Sequence, residues 1–279
     1  MVAFLFSTGM VMLNRLSFAD VSMCKAVTLW FLCWLLGCLP GGPFVSLARA
    51  EPLRVVLEVS PPHQVVQNGK VSGLTTAVVE LLLQKAGLQP RYEVYPWARA
   101  YRTALTTPDV LIYNMARTPA REAQFEWIGP VAVYRFGLLK LSSRQDIHLS
   151  SLVDLPRYTV GAQRDDFSAE WLRDVAQQPA AQLALHADVI ETWRMLVNGR
   201  IDLLVDDPIA IDDMLAMYHL DRQEVEFELF VPELAQTTWI ALKKGSDPAL
   251  VQRLKRAHRQ ITGSAAYLQA MQTTSLKAL

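Results

Sequence analysis

The sequence predicts an α/β protein of two lobes, each a mostly parallel sheet flanked by helices. Three observations carry this expectation. From Leu53 to Tyr113 apolar strand-like runs alternate with segments of helical period, the order expected of a parallel sheet with crossover helices. From Tyr158 the same alternation starts afresh, which argues for a second lobe of like architecture. The first fifty residues differ in composition from the rest, so the folded part begins near Glu51.

Leu53 to Val59 reads as a strand, stopped by Ser60-Pro61-Pro62, and Asn68-Gly69 marks a turn. Leu74, Val78, Leu81 and Leu82 recur at helical spacing, and Gly87 ends that helix as its left-handed C-terminal residue. Arg91 to Tyr95 is a second strand, Pro96-Trp97 opens a short helix, and Asp109 to Tyr113 is a third strand. After Pro130, Val131 to Leu141 is extended, and the polar, turn-rich Ser142 to Leu155 leads towards the second lobe.

Tyr158 to Gln163 is a strand, and Ser168 is placed to cap a helix carrying Trp171, Leu172 and Val175. Gln182 to His186 is the next strand. Asp188 and Glu191 have the spacing of a capping box for a helix over Val189 to Val197, stopped by Asn198-Gly199. An apolar strand follows from Asp202 and ends in the carboxylates Asp206 and Asp207, with Pro208 opening another helix. Val225 to Val231 and Thr237 to Leu242 read as two further strands. Asp247-Pro248 caps a helix over Ala249 to Thr262, and a last helix includes Tyr267, Leu268 and Met271.

The chemistry concentrates in Asp109 to Val131, DVLIYNMARTPAREAQFEWIGPV. A strand delivers a helix start, with Thr118 as a candidate N-cap and Pro119 at the first helical position. Free backbone N–H groups, the helix dipole and a forked guanidinium at such a place can all point at one carboxylate. Arg117 reads as a solvated surface charge, and Arg121 as either such a charge or an anion-holding guanidinium. The pattern of strand, Thr-x-x-Arg, Phe and aromatic-x-Gly-Pro resembles a segment of the bacterial solute-binding proteins of family 3, the polar amino-acid-binding, type II periplasmic binding proteins. The resemblance spans nearly all of Pro52 to Met271 and rests on the order and spacing of loose motifs. It implies that Arg121 holds a ligand's α-carboxylate. The family usually has Thr or Ser where this chain has Ala116, and often Gly where it has Asn114.

Gly199-Arg200-Ile201-Asp202 through Asp207 matches the family's Gly-Arg-x-Asp-x-x-x-x-Asp, whose last Asp binds the α-amino group. That role falls on Asp207, which by its position before Pro208 also reads as a helix cap. The resemblance thus implies a zwitterion bridging Arg121 and Asp207 from opposite lobes. Asp165, in the loop Ala162 to Phe167, stands where the family has a small ligand-touching residue; it reads either as a ligand contact or as solvated. Trp97, in a Tyr-Pro-Trp-x-Arg segment, is either a stacking surface or core. Glu58, at a strand end, is either a ligand contact or a polar residue facing a helix.

The 279-residue chain is 51% hydrophobic with formal net charge zero. Its first fifty residues hold all three cysteines (Cys24, Cys33, Cys38), a basic residue before the apolar run AVTLWFLCWLLGCL, and Ala48-Arg49-Ala50 as a cleavage site. This is how a signal peptide reads. Lipidation at Cys38, an uncleaved anchor and a start at Met23 are its alternatives. The remainder carries 24 basic and 26 acidic residues, no concentrated basic face for nucleic acid and no cysteine. Five scattered histidines lack metal-ligand spacing, and no phosphate loop or Gly-x-Ser-x-Gly is present. The expectation is therefore a binder, not an enzyme, with no cofactor and no metal.

The resemblance implies a periplasmic monomer with a first lobe formed by 51–138 and 236–279 and a second by 139–235. It would deliver a small polar solute, an amino acid or related carboxylate, to an ABC permease in the inner membrane. Two alternatives of the same fold are a cyclohexadienyl dehydratase-like enzyme and a sensor signalling to a membrane partner.

Overall fold

A computed structural model describes residues 51–272. The expected signal peptide over 1–50, and its alternatives at Cys38 and Met23, lie outside the described residues. The elements run β1 (Leu53–Leu57), β2 (Val65–Gln67), β3 (Lys70–Ser72), α1 (Leu74–Ala86), β4 (Pro90–Val94), α2 (Trp97–Thr106) and β5 (Val110–Ala116). Then come the one-turn α3 (Pro119–Glu122), β6 (Phe125–Leu141), β7 (Val160–Gln163), α4 (Phe167–Asp174), β8 (Leu183–His186) and α5 (Val189–Val197). The chain closes with β9 (Leu203–Asp206), α6 (Ile211–Tyr218), β10 (Val225–Lys243), α7 (Pro248–Ile261) and α8 (Ala265–Gln272).

Local chemistry sets most of these bounds. Gly87 ends α1 in the left-handed region at φ 64°, where a Cβ would be unfavourable, and its N–H bonds the Gln84 carbonyl. Asn68 and Gly69 both take positive φ, the backbone a two-residue hairpin loop between β2 and β3 requires. Asp188 accepts the Glu191 N–H and starts α5, and Asp247 accepts the Ala249 N–H and starts α7. Two local expectations need correction. The cap of α4 is Asp166, whose carboxylate takes both the N–H and the hydroxyl of Ser168. Thr118 occupies the cap position of α3, yet its side chain makes no capping bond.

The strands form one eight-stranded sheet in the order β4-β1-β5-β10-β6-β9-β7-β8, beside the small β2–β3 hairpin. β4, β1 and β5 are parallel, as are β9, β7 and β8. Between these groups lies a long antiparallel pair, β6 and β10, running from Phe125 opposite Lys243 to Leu141 opposite Val225. The two strands expected over Val225 to Leu242 are therefore one. The chain at Pro232 does not leave the sheet; its register slips between Val231 and Gln236 and the strand continues.

Period-two alternation packs helices on both faces. Val55, Leu57, Leu111, Tyr113, Ile240 and Leu242 face α1, α7 and α8, whereas Val56, Val110, Ile112, Met115 and Ala241 face α2. Around the other parallel group, Leu138, Val160, Leu203 and Val205 pack on α4, and Leu139 and Leu204 on α5 and α6. Along β6 the cores change over between Val131 and Leu138, and along β10 between Leu234 and Ile240. All four cores lie within the compact unit that begins at Glu51. No helix of the described residues is long and apolar enough to cross a membrane.

Candidate functional site

In a parallel sheet the carboxyl ends of the strands are where backbone donors and loop side chains converge. Here two such edges meet. β1 ends before Glu58, β4 before Tyr95-Pro96-Trp97 and β5 at Ala116; from the other group, β7 ends at Gln163 and β9 at Asp206. The Gln163 amide donates to the Glu58 carboxylate at 2.6 Å, and Arg121 reaches the Asp165 carbonyl at 2.9 Å. Beside this junction a cavity of about 350 Å³ is lined by Val59, Tyr95, Pro96, Asp188, Ile190 and Glu191.

Arg121 is the centre of the junction. It follows Pro119 by two residues in α3, and its side chain is only 1% exposed. Nη1 donates to the Ala116 carbonyl at 3.3 Å, while Nη2 donates to the Asp165 carbonyl and to Glu170 Oε1 at 3.0 Å. The guanidinium carbon lies 4.9 Å from the Tyr101 ring centre and 6.0 Å from that of Trp97. Nε is buried and has no acceptor. A planar fork with one arm paired and one arm open is suited to a second carboxylate oxygen.

The other predicted residues fall as follows. Asn114 sits in the left-handed region at φ 61° within β5, donating to Thr75 Oγ1 at 3.0 Å. Ala116 is buried and contributes its carbonyl, and the Thr118 hydroxyl is buried without a partner. Trp97 packs in the core under α2, stacked on Tyr101, with its indole N–H unpartnered. Asp165 has an exposed side chain and φ 61°; what it offers the junction is its carbonyl oxygen. Arg117, the solvated charge, pairs with Glu122 at 2.6 Å and lies over the Trp239 ring.

Asp207 is buried and caps the turn after β9. One carboxylate oxygen accepts the Ile209 N–H at 3.0 Å and the other the Arg135 N–H at 2.9 Å. No hydrogen bond or ion pair joins Asp207 to Arg121; each is held by its own partners. Burial pushes the Asp207 carboxyl up to about 6 against the pull of those two N–H groups. Its neighbour Asp206 is pushed by burial up to about 7, although it accepts the Trp193 indole N–H at 2.6 Å and the Asp207 N–H. Glu58 is raised well above the usual carboxylate range by burial and then by the charge of Asp166. Burial first, and then the charges of Asp207, Glu58 and Asp206, raise the Tyr134 hydroxyl, and its ring meets His63 at 4.5 Å. Both ring nitrogens of His63 are buried without partners, and burial lowers its pKa to about 4.

Five residues of this junction escaped sequence reasoning: Glu170, Gln163, Tyr101, Tyr134 and Asp206. Trp97 and Tyr101 stand four apart on one helix, which was the available signal for Tyr101. The doublet Asp206-Asp207 was the signal for Asp206. Among the described residues no group of three or more His, Cys, Asp and Glu side chains is arranged to hold a metal.

Comparison with known proteins gives a consistent picture. Residues 53–273 match the family model for bacterial extracellular solute-binding proteins, family 3. No curated protein matches the chain. Among solved structures, a histidine kinase sensor domain with similarity to periplasmic binding proteins is similar with a TM-score of 0.68 at 16% identity, covering 79% of this chain and 94% of that one. The arginine-, lysine-, histidine-binding protein of the thermophilic bacterium Geobacillus stearothermophilus gives a TM-score of 0.67 at 14% identity, over 80% of this chain and 94% of that one. A Salmonella typhimurium periplasmic binding protein with high arginine specificity gives 0.67 at 18% identity, over 80% and 98%. At these identities the likeness is one of fold.

Proposed function

The chain belongs to the bacterial extracellular solute-binding proteins, family 3, and from that premise we propose that it captures a small polar solute, an amino acid or related carboxylate, for an ABC permease. The observation that carries the proposal is Arg121, a buried guanidinium at the meeting of two strand-end edges, with its Nε free for a further acceptor. In this reading the ligand's carboxylate takes the open arm of Arg121, its ammonium is received on the side of Asp207 and Glu58, and Trp97 and Tyr101 wall the carboxylate end. A ligand touching both edges binds the closed arrangement better than the open one, and so shifts the population towards it. Binding without turnover, export to the periplasm and a monomeric state are parts of the same proposal.

A second reading, a sensor that reports ligand to a membrane partner, is favoured by the likeness to a kinase sensor domain. It uses the same cleft and differs in the partner.

The test is a thermal-shift screen of residues 51–279 against amino acids, simple carboxylates, amines and prephenate. A ligand at a hundred times its dissociation constant adds about 2.7 kcal/mol of stability. Arg121→Ala removes a charge-assisted contact of about 1.5–3 kcal/mol and should weaken a carboxylate ligand at least tenfold. An affinity unchanged in that variant refutes the clamp, and turnover of prephenate would replace binding with catalysis.

A further inference from the structure

We propose that Glu170 is a built-in stand-in for a ligand carboxylate, holding Arg121 and thereby the two strand-end edges together when no ligand is bound. The inference deepens the clamp reading above and rests on it for the ligand's part. A guanidinium 1% exposed is costly to leave without an anion, so Arg121 needs a carboxylate whether or not a solute has arrived. Glu170 supplies it from the other side of the junction: Arg121 follows β5 in α3, whereas Glu170 lies in the first turn of α4, after β7. Of the contacts that join the two edges here, this is the one between opposite charges. The Asp165 carbonyl and the Gln163–Glu58 amide contact are the neutral-donor or neutral-acceptor companions.

The geometry also explains how such a stand-in gives way. Glu170 offers one oxygen to one nitrogen, and that nitrogen, Nη2, is shared with the Asp165 carbonyl. Nη1 makes a long 3.3 Å contact to the Ala116 carbonyl, the Tyr101 hydroxyl also meets the guanidinium, and Nε has no acceptor. An incoming carboxylate that takes Nε and Nη2 as a fork makes two parallel charge-assisted bonds where Glu170 makes one. The displaced Glu170, whose side chain is already one-third exposed, returns to water at little cost. The ligand therefore exchanges one carboxylate for a better-placed one, and Arg121 is never left bare. The apparent affinity for ligand is reduced by the fraction of molecules in which Glu170 holds the clamp.

The experiment needs no ligand. X-ray scattering of residues 51–279 at low salt should give a radius of gyration near the roughly 17 Å of a compact chain of this length. Glu170→Gln, which keeps shape and removes charge, should raise it without loss of the thermal transition. In Glu170→Ala, acetate should restore the compact value where chloride at equal ionic strength does not, because acetate fills the vacated anion position. Scattering unchanged by both substitutions overturns the proposal, as does a wild-type protein already expanded at low salt. Expansion that acetate fails to reverse overturns the anion-seat assignment. The outcomes separate from those of the ligand screen: a silent panel with an expanded Glu170→Gln would sink the ligand reading alone, and a ligand hit lost in Arg121→Ala with unmoved scattering would sink the stand-in alone.

Discussion

Asp206→Asn should flatten the pH dependence of stability between pH 6 and 8. The Asp206 carboxyl is held at about 7 by burial, against an ordinary value of 3.8, while the unfolded chain has nothing to raise it. Between those values the folded state keeps a proton that the unfolded state has lost, so stability falls as pH rises. The full effect is on the order of 4 kcal/mol, and the part lost between pH 6 and 8 is about 1.4 kcal/mol. Asp207, at about 6, adds about 0.4 kcal/mol of the same sign over that interval. His63 acts in the opposite direction below its unfolded value near 6.5, since it is buried neutral and must be charged as pH falls towards 4. Glu58 is raised first by burial and least by the charge of Asp206, so its contribution differs little between wild type and variant. Urea unfolding followed by circular dichroism at pH 6 and pH 8 is the assay. The wild type should lose about 1.4 kcal/mol more than the variant over this interval, the share of Asp206, since Asp207 and His63 act in both proteins. Asn loses one of the two bonds from Trp193 and Asp207, which lowers the variant's baseline without changing its slope. Equal losses in the two proteins would refute the assignment of a proton to Asp206.

Two packing predictions accompany those for Arg121 and Glu170. A Cβ at position 129 would run into the ring of His258, which is fixed by its contact with the Pro130 carbonyl, so Gly129→Ala should cost about 1–3 kcal/mol in thermal denaturation. Lys140 is buried, with Nζ on Glu228 at 2.7 Å and on the Ile147 carbonyl; Lys140→Met should cost about 3 kcal/mol. Adding Glu228→Gln should recover part of that loss, because without Lys140 the Glu228 carboxylate keeps only the Leu149 N–H and His148 as partners; a double variant as unstable as the single one would refute this.

Elements whose ends are decided by neighbouring residues were legible in the sequence. Val189–Val197 needs only Asp188 at its start and Asn198-Gly199 at its end, and α1 needs only Gly87. The unity of β10 was hidden, because the strand-like runs Val225 to Val231 and Thr237 to Leu242 are joined only by the ladder that β6 supplies on both sides of the gap. The cap of α4 was misplaced by two residues because Asp166 and Ser168 are both capping types, and the carboxylate won as acceptor with the hydroxyl as its donor. At the site, Glu58 and Asp207 stood out from their places at strand ends and Arg121 from the helix start after β5, with the family resemblance assigning roles to Arg121 and Asp207. Glu170 and Gln163 did not stand out, since each owes its part to a residue far along the chain on the opposite edge. Of the two readings of Asp165, the exposed carboxylate fits the solvated one, while the loop brings its backbone oxygen to Arg121.

The long pair β6–β10 also dictates an order of assembly. Ala241 pairs with both Ile112 and Trp127, so the group β4-β1-β5 meets its antiparallel neighbour only through the last strand made. Its core likewise draws on Val251, Leu254 and Tyr267 from the two final helices. The other group takes its core from residues between Leu138 and Leu234, all present before Trp239 appears. In a chain delivered N-terminus first, the middle of the sequence can consolidate while Val55, Leu57 and Val78 still wait for their covering residues. High contact order thus falls on the half that is made first, leaving its apolar faces in need of shielding until the C-terminus arrives. A truncation after Lys243 would strike that early half and spare the middle one.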